Sequence, residues 1–230
     1  MKAISCMIVS ILMLGFGPLA TADQIWTEGV NYFLVDPPHV PDVPAGKVEV
    51  TEAFSYACPA CNIFQPTMQK LKAAMPGNVV VDYLPAAFNP SEDWPMFQLA
   101  YLTAQALGID RQTHEKMFDA VWTAGGSLAV TEGRNLRSPL PSIEDAAQWY
   151  NKQTGVPVDK FLATSKSFQV VTKKNVAEQL MQQYRVDRTP TIIVNGKYRL
   201  FVESAGGDNQ VIDLVKYLVA KESAAPKAAK

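Results

Sequence analysis

Apolar and polar positions interleave over residues 47–54, where Val48, Val50 and Ala53 mix with Glu49 and Glu52, and this pattern predicts a strand. A second short strand is expected ahead of it over residues 31–35, joined by the proline-bearing stretch 37–46. After Cys58 the period changes. Ile63, Phe64, Met68, Leu71 and Met75 recur at helical spacing as far as Pro76-Gly77, with Pro66 inside the pattern, so a helix kinked near Pro66 is predicted. Residues 79–84 read as an apolar strand. Helical spacing then governs residues 96–107, 112–124 and 142–151, and the Gly-, Ser- and Pro-rich stretch 125–141 reads as a long surface loop. Helical spacing continues over residues 156–161 and 168–184. Strand chemistry returns at residues 191–194 and 198–202, on either side of Asn195-Gly196, the strongest short hairpin signal. A last helix is expected over residues 211–219, followed by a mobile Ala/Lys-rich tail.

The order of elements predicts an α/β chain whose sheet domain is split in sequence by a helical block. Residues 23–85 and 168–221 form the sheet domain, 86–167 the insertion and 222–230 the tail. The N-terminus reads differently. Lys2 precedes 16 uncharged, mostly apolar residues from Ile4 to Leu19, and Ala20-Thr21-Ala22 has the small-x-small form of a cleavage site, so residues 1–22 are expected to be a signal peptide. A transmembrane anchor is the competing reading, and the run falls short of the roughly 20 residues a spanning helix needs.

Composition narrows the function. Twenty-one Lys and Arg against 22 Asp and Glu leave a net charge of -1, with no basic surplus to neutralise a phosphate backbone, which excludes nucleic acid as an expected partner. Of 3 cysteines, Cys6 leaves with the signal peptide. Cys58 and Cys61 stay, spaced as CxxC where a strand gives way to a helix, in a compartment where disulfides persist. Unpaired amide groups and the dipole at a helix N-terminus favour a thiolate at Cys58, and Cys61 lies one turn further in. Pro59 suits the first turn, where a missing N–H costs nothing. Three other readings stand beside a redox-active dithiol. A zinc site needs about four ligands, and only His39 and His114 are available to join the two cysteines. A structural disulfide closing so small a ring constrains little chain entropy. A pair of buried free thiols is the third.

Residues 54–61 (FSYACPAC), 188–191 (RTPT) and 194–198 (VNGKY) together resemble the DsbA family of thioredoxin-fold thiol-disulfide oxidoreductases. The resemblance implies a thioredoxin fold with an inserted helical domain, and no cofactor or metal. It implies that Cys58 attacks and Cys61 resolves, that Pro190 is a cis-proline facing the dithiol, and that Thr189 offers backbone groups to an extended substrate. Pro59 and Ala60 would then flank that substrate. It matches Glu52, six residues before Cys58, to a buried acid that shuttles a proton to and from Cys61; a solvent-facing Glu52 is the alternative, as expected for Glu49. Trp122 is a possible neighbour of the dithiol by the same resemblance. Trp94 and Trp149 read as core, and His114 as surface or partly packed. Phe88, Met96 and Phe97 read either as core or as the rim of an apolar groove.

Three departures stand out. Ala60 replaces the family's histidine, which leaves the helix terminus as the main stabiliser of a Cys58 thiolate and predicts a weaker oxidant. Gln65 replaces an acid, and Asp82 and Leu84 replace a nearby base. The implied function is periplasmic donation of the Cys58–Cys61 disulfide to reduced secreted proteins, with reoxidation by a membrane quinone-linked partner of the DsbB type. An isomerase or reductase of the same fold is one rival; only about 25 residues precede Val48 after cleavage, little for the dimerisation domain such isomerases carry. A non-catalytic chaperone or binding protein with a structural disulfide is the other.

Overall fold

The computed structural model describes residues 26–224; the expected signal peptide, Cys6 and residues 225–230 lie outside the described residues. The chain opens with β1 (Phe33–Leu34), and β2 (Val48–Phe54) runs directly into α1 (Pro59–Ala74). Strand β3 (Val79–Pro85) returns parallel to β2. The helical block follows as α2 (Trp94–Ala106), α3 (Asp110–Trp122), a ribbon of β4 (Thr131–Glu132) and β5 (Asn135–Leu136), then α4 (Ile143–Thr154), α5 (Val158–Ser165) and α6 (Phe168–Gln183). The chain rejoins the sheet with β6 (Thr191–Val194) and β7 (Tyr198–Phe201), and ends in α7 (Val202–Ala205) and α8 (Asp208–Ala224). The sheet order is β1-β7-β6-β2-β3, with β2 and β3 parallel and the other pairs antiparallel.

Side-chain alternation divides the core in two. Val48 and Val50 of β2, with Ile192, Val194 and Leu200, face α1 and α8 and pack on Phe64, Met68, Leu71, Leu214 and Leu218. Ala53, Leu84 and Ile193 point the other way, into a larger core that takes in Tyr101, Phe118, Tyr150 and Met181 from the helical block. Burial of each such side chain contributes roughly 1.5–3 kcal/mol. The block is therefore packed on the sheet rather than tethered beside it.

Several elements differ from the sequence expectation. Helix α1 continues through Pro66, because the donor that the proline lacks costs one bond while Phe64, Met68 and Leu71 hold both halves of the helix on the sheet. Ile63, counted with the core spacing, is 73% exposed. The segment 125–141 is no simple surface loop: Leu128 and Val130 are buried, and β4 pairs with β5. Glu49 is half-buried and accepts a hydrogen bond of 2.9 Å from Thr51 Oγ1, so it does not stand free in solvent. The tail begins later than residue 222, because α8 extends to Ala224. Asn195 and Gly196, with φ of 52° and 63°, form the expected turn, and a Cβ at Gly196 would collide with the His39 carbonyl.

The buried Glu222 carboxylate, at the end of α8, closes this turn. It accepts from Asn195 Nδ2 at 2.6 Å, Lys197 Nζ at 2.7 Å and Tyr198 Oη at 3.1 Å. All three donors can reach water if the acceptor goes, so Glu222→Ala is expected to cost about 1–2 kcal/mol in chemical denaturation without altering the dithiol. An unchanged denaturation midpoint would show that the cluster adds nothing.

Candidate active site

Strand β2 ends at Phe54, and three residues, Ser55 to Ala57, carry the chain to Cys58, the N-cap of α1. Local bonds shape this link: Cys58 N donates to Ser55 O at 3.1 Å and Ala57 N to Ser55 Oγ at 3.3 Å. Cys58 itself is extended, with φ -84° and ψ 117°, which turns its side chain back over the first helical turn, and its Sγ accepts from Cys61 N at 3.4 Å. Pro59 occupies the start of the helix, as its spacing predicts. Both cysteines are free thiols in this state, Cys58 5% exposed and Cys61 fully buried.

From the opposite side, the residues before β6 come up against the same sulfur. The Thr189–Pro190 peptide is cis, and Cys58 Sγ donates to Thr189 O at 3.5 Å. Pro59, Ala60 and Ile63 are exposed around this point. Beneath it lies Glu52, fully buried on β2, opposite Tyr83 of β3 and Ile192 of β6. Neither Glu52 oxygen has a hydrogen-bond partner among the described residues. The solvent-facing alternative for Glu52 does not hold.

The electrostatics of the two sulfurs are opposed. The bond from the Cys61 side chain, more than any other influence, pulls the Cys58 thiol down to about 6; burial works against it, and Thr189 and the amides of Cys61 and Ala60 help. The amides of Cys61 and Ala60 in the first turn act in the direction expected of a helix N-terminus. Burial pushes the Cys61 thiol well up, reinforced by its bond to Cys58 and by the Glu52 charge. Burial also lifts the Glu52 carboxyl to about 8; the Cys58 charge adds to this and Lys72 opposes it. A low-pKa thiol therefore sits at the surface end of the pair and a high-pKa thiol at the inner end, with a carboxyl that can hold a proton near neutrality below them.

Of the other residues noted in the sequence, Phe97, Trp94 and Trp149 are core. Met96 packs partly buried against that core. Phe88 is 48% exposed and borders a cleft of about 560 Å³ with Met181 and Val186, next to Asp187 in the loop that leads to Thr189. Trp122 Nε1 donates to Tyr56 O at 2.8 Å, two residues from Cys58. His114 is the clearest correction: it is 3% exposed and bonded to Tyr56, not at the surface. Its position on the apolar-spaced face of α3, with Met117 and Val121, was the one signal of burial in the sequence.

Three comparisons place this geometry among known proteins. The thioredoxin family profile matches residues 42–206. The thiol:disulfide interchange protein DsbA of Pseudomonas aeruginosa is 35% identical over 212 residues, 92% of this chain and 92% of its own length. The protein of the same name from Pseudomonas syringae pv. tomato is 34% identical over 215 residues, 94% of this chain and 93% of its own. Among solved structures, Pseudomonas aeruginosa DsbA superposes with a TM-score of 0.73 at 33% identity, covering 88% of this chain and 97% of that one. The oxidoreductase DsbA of Xylella fastidiosa gives 0.73 at 30% identity, covering 86% and 97%.

Proposed function

The chain belongs to the DsbA family of thiol:disulfide interchange proteins and is a thiol-disulfide oxidoreductase with a thioredoxin-like fold; from that premise we propose that it works as a periplasmic dithiol oxidase whose catalytic pair is Cys58 and Cys61. The observation that carries this reading is the asymmetry of the pair: Cys58 caps α1 beside the exposed Pro59 and Ala60, its thiol pulled down to about 6, while Cys61 is fully buried, its thiol pushed well up. In the oxidised protein a substrate thiolate attacks Cys58 Sγ. The substrate–Cys58 bond forms, the Cys58–Cys61 bond breaks, and Cys61 leaves as a thiolate. Its high pKa makes it take a proton at once, and Glu52, whose carboxyl titrates near 8, supplies it and recovers one from solvent. A second substrate thiolate then attacks the substrate sulfur of the mixed disulfide. The product disulfide leaves, and Cys58, a good leaving group because of its low pKa, departs as a thiolate.

The substrate's backbone lies along Thr189 and Pro190, where the Thr189 carbonyl stands 3.5 Å from the sulfur, with Pro59 and Ala60 on its flank. Secreted proteins with reduced cysteines are the substrates in this reading, a cleaved signal peptide delivers the chain to the periplasm, and a membrane quinone-linked partner of the DsbB type reoxidises it. Ala60 adds no charge beside the thiolate, so the oxidant is weaker than members with histidine there. Alkylation trapping in cells tests the direction of flow: the Cys58–Cys61 pair is expected to be oxidised at steady state. A pair held reduced would overturn the oxidase reading in favour of an isomerase or reductase.

A further inference from the structure

The peptide that presents Cys58 is gripped by the helical block at Tyr56. The Tyr56 ring, 1% exposed, stands edge-on to Phe54 and to Phe118 at 5.0 Å between centroids. Its hydroxyl shares a hydrogen bond of 3.0 Å with His114 Nδ1, and its carbonyl accepts from Trp122 Nε1 at 2.8 Å. Both partners project from α3, two turns apart. His114 is itself wedged between Tyr83, 3.9 Å from its ring centre, and Phe54 at 4.9 Å. Burial holds its imidazole neutral down to about 3, so the bond to Tyr56 keeps one form across the working pH range. Nothing in the exchange chemistry consumes His114.

We propose that His114 is a positioning residue for thiol-disulfide exchange: α3, through His114 on the Tyr56 hydroxyl and Trp122 on the Tyr56 carbonyl, fixes the peptide that holds Cys58 Sγ against the first turn of α1 and Thr189. This rests on the reading of Cys58 as the attacking cysteine. The physical reason is the alignment of the donor that the sulfur faces. A thiolate at Cys58 is held by the Cys61 N–H, 3.4 Å from the sulfur, and such a bond weakens steeply with misalignment, so a small drift of residues 56–58 weakens it. Only Ala57 separates Tyr56 from Cys58, and its methyl group offers no polar anchor. The bonds to Ser55 are local to the link, and the clamp on Tyr56 is where α3 holds it. The other titratable groups at the sulfur are Cys61 on α1 and Glu52 on β2; those at His114 are Tyr83 on β3, Tyr101 on α2 and Lys72 on α1. None is altered by the substitutions below.

The test is the pH titration of the ultraviolet thiolate absorbance of the reduced, full-length protein. Tyr56→Phe removes one oxygen and His114→Phe removes the ring nitrogens, and both keep the aromatic packing. Each is expected to raise the Cys58 midpoint, by about two- to fivefold in proton affinity, the range set by losing one neutral hydrogen bond. The double variant should shift no further than either single one. His114→Asn, whose side-chain amide reaches the position of Nδ1, should restore the parent midpoint. Midpoints equal to the parent in both Phe variants, with only a lower unfolding temperature, would overturn the proposal and leave the pair as packing. Cys58→Ser should abolish the titration. If the titration survives, the assignment of Cys58 fails, and the proposal falls with it for that separate reason.

Discussion

Cys58→Ser is expected to transfer no measurable disulfide, below about a thousandth of the parent rate, because a hydroxyl cannot form the mixed disulfide and nothing else at the site can. Cys61 is fully buried and its thiol pushed well up, so it does not substitute as an attacking group. Cys61→Ser should behave differently. It keeps the Cys58 sulfur, and the serine hydroxyl can donate in place of the Cys61 thiol, so the outer thiolate stays available. Offered a disulfide-bonded peptide, it should accumulate a stable mixed disulfide, detectable by mass, because no inner thiol resolves it. A Cys58→Ser protein that kept the parent's activity in full would make the pair a structural device and favour the binding-protein reading.

The second large effect is a redox-dependent response of stability to pH. In the folded reduced protein Cys58 titrates near 6, against about 8.5 for an unfolded thiol. A depressed pKa stabilises the folded state above the unfolded value and loses that contribution as pH falls through the folded one. From pH 6 to about 8.5 the reduced form should therefore gain about 2–4 kcal/mol over the oxidised form. Beyond about 8.5 the sign reverses, because Cys61 is pushed up and keeps its proton when folded but loses it when unfolded. Glu52 acts oppositely in both forms: its contribution is full below about 4.5 and lost as pH rises through about 8. Subtracting the oxidised curve from the reduced one cancels the part common to both. Denaturant titrations of the two forms at pH 5, 7, 8.5 and 10 measure the difference. A flat profile would mean that Cys58 carries no stabilised thiolate, and the oxidase reading would lose its driving force.

Much of this was legible before any coordinates. Hydrophobic period separated β2, β3 and β6 from the helices, and Asn195-Gly196 marked its hairpin because few dipeptides accept two consecutive positive φ values. The CxxC spacing put one sulfur at the helix start and the other a turn inside, since a helix advances 3.6 residues per turn. Those are local facts, set by residues adjacent in the chain. What belonged to the tertiary structure was everything decided by distant partners. Glu52 and Glu49 share one strand and one chemistry, yet one is fully buried beneath the dithiol on the face covered by α1, and the other, on the opposite face, borders a cleft with Asp42, Thr51 and Tyr184. Thr189 meets Cys58 across 131 positions of sequence. His114 read as surface or partly packed, and only the packing of α3 on the link after β2 buries it fully against Tyr56. Sequence alone picked out the residues proposed to carry the chemistry; the fold decided which of them share a dielectric and a hydrogen bond, and those two conditions separate an outer thiolate from an inner thiol.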